Sequence, residues 1–463
     1  MQPSLILPAA SQSTFHASKT VMRIHRQAAI TGCFIICISL LIASCGNKRA
    51  AHVSIGPATA MPVARTLPPL PVRPLSAELR AMRERTMRVA SDLRELAFTG
   101  EVGMAELSGW EYGTRASEMA QVLGGDELRA LSRLASAGGM LPEGTDLASL
   151  AASFTALSAG ATYSPLDKQI LLMDKFKSDS LLTHEFVHAL QDQHFDLLRL
   201  LSIRPYNFDR TEAVFAVIEG DAVNVQRRAE EGDGYARRPL EEIKRQEGAR
   251  FDEYREEVKS LFPPLLTETF IFRYRDGAHF VEAVRRGRGG LGVNELFQRP
   301  PASSEQVLHP EKYQADEAPR EVRLDEQAFA TSGWRSVAST PLGEIGVRGL
   351  LMAGVSEREA ARAAAGWGGD RAYLFERAGA APLFVWKTAW DKQEDAVEFF
   401  RAYKALLGRG GKQTNDALAG GGEAQVVWGR GGRLTLARRD GDAVIIIRGA
   451  EADLPVALEL ARR

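Results

Sequence analysis

Cysteine is nearly absent from this chain. Of 463 residues only Cys33, Cys37 and Cys45 are cysteine, and all three fall in the first tenth. The 418 residues after Cys45 contain none. That excludes a disulfide framework, a thiolate zinc site and a cysteine nucleophile from the folded body. An excess of charge of either sign is also missing, since 58 Lys+Arg stand against 59 Asp+Glu. Such a balance excludes a polybasic nucleic-acid scaffold and an acidic disordered tail, so no nucleic-acid partner is expected. The rest is ordinary globular composition, 45% hydrophobic and 25% charged, in a length that suits two or more folded units.

Long apolar runs are scarce too. The uncharged stretch at residues 30–43 has 14 residues, short of the about 20 that a membrane span needs. It follows the basic Met22-Arg23-Ile24-His25-Arg26, as the apolar region of a signal peptide does. Its end, Ile42-Ala43-Ser44-Cys45, resembles the bacterial lipoprotein box, in which the cysteine becomes the lipidated first residue. A signal over residues 1–44 is therefore expected, with Met22 as its true start and Cys45 as the lipidation site. An uncleaved anchor is the competing reading, and both tether the protein to a membrane. Residues 45–75, with Pro57, Pro62, Pro68, Pro69, Pro71 and Pro74, read as an extended spacer. No acidic residue follows Cys45 directly, which resembles outer-membrane sorting where a cell has two membranes. The expected location is the cell envelope.

The body reads as α+β. Helical spacing runs over residues 76–96 and continues in shorter pieces to 154. A proline-containing turn precedes a short apolar strand at 168–174, and helices resume at 181 and over 210–228. A highly charged helix fits 239–261, and mixed helix and loop follow to about 313. The last third holds five of the six tryptophans and no histidine. Its pattern predicts helices at 342–352 and 356–365, strands at 373–377 and 383–390, and a helix at 392–407. Strands at 424–428, 434–438 and 443–448 and a final helix complete a smaller α+β unit with antiparallel pairing. The expected division is 76–320 and 335–463, joined near 314–334. The glycine-rich Gly408-Arg409-Gly410-Gly411-Lys412-Gln413 lacks the glycine spacing and hydroxyl of a phosphate loop. It reads as a flexible loop, and Gly366-Trp367-Gly368-Gly369-Asp370 as a turn supporting Trp367.

The chemistry sits in His184-Glu185-Phe186-Val187-His188. On a helix, positions i and i+4 place both imidazoles on one side, within reach of one metal ion. Glu185 lies one residue round, placed to take a proton from water rather than to bind the metal. Zinc lowers the pKa of a water it binds to about 7. Two residues compete as third ligand. His194 occupies the last position of the pattern HExxHxxGxxH, but Gln191 stands where that pattern turns the chain on glycine. The only methionine after it, Met352, is 158 positions on, where a methionine turn is not expected. Glu219, 31 residues past His188, lies in the apolar Phe215-Ala216-Val217-Ile218-Glu219-Gly220-Asp221-Ala222. A carboxylate buried there needs a partner, and a zinc ion provides one. Glu219 is the preferred ligand; a solvated face carrying Glu212 and Glu219 is the bland alternative. Gly220 would let this helix approach the first one closely, and Asp221 could orient a ligand imidazole.

With Glu219 after it, the motif resembles a gluzincin-type zinc metallopeptidase. More narrowly, Thr183-His184-Glu185-Phe186-Val187-His188-Ala189-Leu190-Gln191-Asp192-Gln193-His194-Phe195 resembles a group of uncharacterised secreted or lipid-anchored prokaryotic proteins. Pro300-Pro301-Ala302-Ser303-Ser304-Glu305-Gln306 and Ala365-Gly366-Trp367-Gly368-Gly369-Asp370-Arg371 match two further blocks of that group. The resemblance implies a mainly helical zincin-like domain with an appended α+β domain. It also implies Zn²⁺ as cofactor and a peptide or protein as substrate. In such folds an edge strand above the zinc pairs with the peptide, which assigns that role to residues 168–174. Transition-state stabilisation needs a donor aimed at the developing oxyanion. Tyr274, His279, His309 and Tyr313 are the candidates, with His309 preferred because it follows Pro300-Pro301. The expected activity is peptide-bond hydrolysis with Glu185 as base; the alternative is a metal-stabilised, non-catalytic binding or assembly factor.

Overall fold

The computed structural model describes residues 67–71, 73–150, 160–174, 177–413, 424–430 and 432–463. The signal, Cys45 and the spacer up to residue 66 lie outside the described residues. The last part of the expected spacer does not stand free. Leu67, Leu70 and Leu75 pack against the first core, Arg115 donates to the Pro68 carbonyl at 2.6 Å, and Arg73 pairs with Glu111. Prolines keep this stretch extended without a ladder, and its leucines carry no period, so the sequence hides that they are buried. The body thus begins by residue 67 rather than 76.

Helix α1 (Ala77–Arg94) starts at Ser76, whose Oγ accepts from Leu79 N at 3.1 Å. After it come strand β1 (Gly103–Leu107) and one long helix, α2 (Gly109–Ala137), opened by a Ser108/Glu111 capping box. The expected shorter pieces are therefore a strand and a single helix. Each interior glycine costs a helix about 1 kcal/mol; the cap and a buried stripe including Tyr112, Met119 and Leu128 outweigh that cost.

Strands β2 (Ala161–Ser164) and β3 (Gln169–Met173) form a hairpin, and β1 adds in parallel to β3. The order β1-β3-β2 makes β3 the central strand. The expectation of an edge strand at 168–174 is overturned: Ile170, Leu171 and Leu172 are all buried, the continuous apolar run of a strand covered on both faces.

Helix α3 (Asp179–Phe195) packs on β2 and β3, and α4 (Phe208–Glu231) packs on α3; α5 (Leu240–Val258), α6 (Pro264–Ile271), a π-helical turn (Phe272–Asp276) and α7 (Gly277–Gln298) follow. Gly220 does not serve an approach of α4 to α3. A Cβ there would stand 2.3 Å from the Gly277 carbonyl, and one on Gly277 would stand 2.2 Å from Ala216 O. Helix α4 touches α7 backbone to backbone. Gly220→Ala is accordingly expected to destabilise by about 1–3 kcal/mol or more, read as a lowered midpoint in urea unfolding; an unchanged midpoint would show that α7 can move aside.

The short α8 (Ser304–Leu308) leads to the second unit. It comprises β4 (Arg335–Thr340), α9 (Gly343–Leu351), α10 (Glu357–Ala364), β5 (Trp367–Glu376), β6 (Leu383–Trp390) and α11 (Gln393–Gly408). Strands β7 (Lys412–Gln413), β8 (Gln425–Arg430), β9 (Arg433–Asp440) and β10 (Ala443–Gly449) and helix α12 (Leu454–Arg462) follow. The seven-stranded sheet has the order β4-β5-β6-β10-β9-β8-β7 and is antiparallel throughout. The architecture is α+β, as the pattern predicts. Some details differ. Strand β4 goes unread; Lys412 and Gln413 of the expected flexible loop form β7, paired with β8; and, while Gly366 is in a turn, Trp367–Asp370 begin β5, with a bulge between Trp367 and Gly369. The buried Asp370 carboxylate accepts from Leu342 N, Gly343 N, Trp367 Nε1 and Trp386 Nε1 at 2.7–3.1 Å. Trp367 is buried as expected.

The units meet without a free linker. Ile345 of α9 belongs to the first core, and Phe208 N donates to Thr340 Oγ1 at 2.8 Å. Arg320, within the expected joint, donates from its backbone to Gly368 O at 2.6 Å.

Candidate metal centre

Ser178 caps α3 through Leu181 N, and the helix is buried from Leu181 to Asp192. The i, i+4 spacing brings His184 Nε2 and His188 Nε2 within 2.9 Å of each other. From α4, Glu219 Oε2 reaches them at 3.4 and 3.6 Å. An ion bound tetrahedrally at about 2.0–2.1 Å needs ligand atoms roughly 3.3–3.4 Å apart. The three edges bracket that value, and all three side chains are 0% exposed. Two nitrogens and one carboxylate oxygen with no sulfur are the donors of a zinc site with an open position. Glu212 and Glu219 are not a solvated face: Glu212 is equally buried and pairs with Arg273 at 2.5 and 2.6 Å.

Both imidazoles are oriented by glutamines. Gln191, three residues on from His188, meets its Nδ1 at 2.9 Å. The Gln191 amide nitrogen donates to Ile218 O and Asp221 Oδ2, each at 3.0 Å. Both amide protons being engaged, the carbonyl is left to accept from Nδ1–H, which leaves the Nε2 lone pair for a metal. Asp221 acts on the ring through Gln191, not directly as the sequence suggests, and is itself held by Arg94 Nε at 2.7 Å. Gln226 is hydrogen-bonded to His184, and its amide nitrogen donates to Ser180 Oγ and Glu230 Oε1 at 2.7 and 3.1 Å. Gln191→Ala is expected to weaken zinc binding by about 10–100-fold, measured by competition with a chromophoric chelator; an unchanged affinity would remove the orienting role.

Electrostatics single out the carboxylates. Burial pushes Glu185 well above the usual range, and the charge of Glu219 adds to this. Burial also opposes ionisation of Glu219, but the His188 charge and the bonds from both imidazoles prevail and hold it below the ordinary value. Burial, then the neighbouring His188, lowers His184. Glu185 Oε2 accepts from Tyr163 N, on edge strand β2, at 2.7 Å. Its Oε1 is buried without a hydrogen-bond partner. One oxygen is thus anchored and the other is available to take a proton.

The remaining candidates separate. His194 is half-solvated and bonded to Ala97 O at 2.8 Å, with no part in the cluster. His309 meets Glu344 at 3.0 Å, and that carboxylate raises its pKa; its partners lie at the junction with α9, and the preference for it is not supported by any contact with the cluster. His279 is lowered by burial, then by Lys244, and Tyr313 donates to Arg299 O. Tyr274, on the π-helical turn, lies flat against His184 with ring centroids 6.4 Å apart. Of the four candidates it is the one whose ring faces a proposed ligand. Sequence reasoning missed Arg94, Tyr163, Gln191 and Gln226. Gln191 at i+3 from His188 and Gln226 at i+7 from Glu219 share the faces of those ligands, and that spacing was the available signal. A second acidic group, Glu305, Glu317 and Asp391, already surrounds the Lys312 ammonium at 2.7–2.8 Å.

Residues 326–458 match a family described as a domain of unknown function (DUF8575). That match covers the C-terminal unit and leaves the histidine cluster outside it. No curated protein matches the chain. No solved structure matches it.

Proposed function

We propose that the protein is a zinc-dependent peptidase of the cell envelope, lipid-anchored at Cys45. The supporting observation is the pairing of a His184, His188, Glu219 triangle with a Glu185 carboxylate anchored at one oxygen and unpartnered at the other. Zinc, when bound, supplies Lewis acidity and a water acidified to about pKa 7. Glu185 Oε1 would take up a proton from the attacking water and hand it to the leaving amine. The Tyr163 N–H holds Glu185 in place during both transfers. Gln191 keeps the ring nitrogens of His188 in the metal-binding tautomer, and Gln226 holds His184 by a hydrogen bond. Among the described residues no helix is long and apolar enough to cross a membrane; the proposed anchor, Cys45, lies outside them.

The test is cleavage of an unbiased peptide library by the full chain. Cuts that vanish with a chelator and return with zinc are expected. A library left intact by zinc-loaded protein removes the enzymatic reading. The second reading, a metal-stabilised binding or assembly factor, is favoured by one observation: His184, Glu185, His188 and Glu219 are all 0% exposed. It predicts no cuts, but a melting temperature that falls on zinc removal.

A further inference from the structure

Three arginines outside the zinc reading share one face of the C-terminal sheet. Arg430 stands directly opposite Arg433 in the β8–β9 ladder, and Arg448 stands opposite Thr435 in the β9–β10 ladder. Arg433 and Thr435 are two residues apart on β9, so their side chains leave the same face. The three guanidiniums therefore project from adjacent strands on one side, beyond Ala437, Val444 and Ile446 of the core on that face. Like charges directly opposite each other weaken a ladder, and here a third lies beside the pair.

Among the described residues none of the three makes an ion pair, although the Glu143 carboxylate acts on Arg433 and Arg448 at longer range. Arg448 Nη1 donates to Ser136 O at 3.2 Å and Ala137 O at 2.8 Å, at the end of α2. Arg433 donates to the Pro382 carbonyl, and its Nε is buried without a hydrogen-bond partner. Carbonyls satisfy N–H groups but leave the positive charge uncompensated. Burial, and after it the neighbouring guanidinium, lowers the pKa of Arg433, and Arg430 contributes likewise at Arg448. The three line a cleft of about 1070 Å³ between the sheet, the end of α2 and the loop that follows it. Its acidic lining residues are Glu143 and Asp146. Asp146 is already engaged by Ala148 N and Ser149 Oγ at 3.0 and 2.6 Å. Leu141, Phe262 and Pro263 supply an apolar wall.

We propose that this cleft binds a phosphate ester, with the phosphate on Arg430, Arg433 and Arg448 and the organic part against Leu141, Phe262 and Pro263. Guanidinium forks match phosphate oxygens in pairs, and three of them suit a group of charge −1 to about −2 better than a single carboxylate. The cleft lies just above the roughly 300–1,000 Å³ of small-molecule sites, far larger than an inorganic ion needs. Either a lipid headgroup or a soluble ester carries this chemistry. The inference does not depend on the zinc reading.

The test compares the full wild-type chain with R430Q/R433Q, using glycerol 3-phosphate and phosphatidylglycerol vesicles as probes. Both proteins carry the same N-terminal tether, so the difference in vesicle binding reports the cleft. Affinity for at least one probe is expected to fall about tenfold or more in the double variant, with R430K intermediate because charge remains but the fork is lost. Loss confined to vesicles assigns the lipid, and loss with glycerol 3-phosphate assigns a soluble ester. R237Q, whose arginine pairs with Asp233 outside the cleft, is expected to bind as wild type. Without ligand the double variant should melt no lower than wild type, since repulsion is relieved. If it does melt lower, the exposed R430Q alone carries the comparison. Equal binding of both probes by wild type and variant overturns the proposal. So does a free peptide C-terminus that occupies the cleft when glycerol 3-phosphate does not.

Discussion

Glu185→Gln is expected to lower peptide-bond hydrolysis by about 10²–10⁴-fold, the range supplied by a positioned general base, with zinc content unchanged. The geometry makes this substitution selective. Tyr163 N needs an acceptor, so the glutamine carbonyl takes the position of Oε2, and the amide nitrogen falls where Oε1 now lies. That nitrogen cannot accept a proton. Glu185 is not among the three ligand atoms, so the metal should stay. Initial rates on a peptide cut by the wild type, with metal analysis of the same preparations, decide the matter. Full activity in this variant would remove Glu185 from the chemistry; loss of zinc together with activity would make it a structural residue.

The largest expected loss of stability comes from Arg94→Ala, at about 3–5 kcal/mol, the usual cost of stranding one member of a buried ion pair. Arg94 and Asp221 are 0% and 3% exposed in their side chains and meet at 2.7 Å. Arg94 also donates to Asn294 at 2.7 Å, tying α1 to α4 and α7. Asp221 would be left with the Gln191 amide alone, and the orientation of His188 would loosen with it. Urea unfolding of the chelated and zinc-loaded forms measures both effects. Arg94→Met combined with Asp221→Asn should cost much less, because no buried charge is stranded. A single variant as stable as wild type would show that water reaches Asp221.

How legible this was in the sequence depended on the range of each interaction. His184, Glu185 and His188 were readable because helix geometry alone joins them. Glu219 was readable because a carboxylate among apolar residues requires a partner. The α+β pattern of the second unit followed from alternation and turn signals, with most boundaries within a few residues. Arg94 was not readable, since a partner 127 residues away leaves no local trace. The central place of β3 was hidden for a related reason: one apolar run fits an edge strand or a covered one, and only pairing with β1 decides. His309 was chosen on loop chemistry, yet its position is set by Glu344, 35 residues on. In Gly366-Trp367-Gly368-Gly369-Asp370 the glycines suggested a turn, but Gly369 leaves room for Arg320 O, which a Cβ would meet at 2.1 Å.

The central claim is that His184, His188 and Glu219 hold one metal ion, and zinc stoichiometry tests it most directly. The full chain should be purified without chelator, in zinc-containing buffer, and freed of loosely bound metal before analysis. About one zinc per chain is predicted for the wild type and for His194→Ala, with the site lost in Glu219→Ala. Less than about half a zinc in the wild type, or zinc kept by Glu219→Ala and lost from His194→Ala, would contradict it.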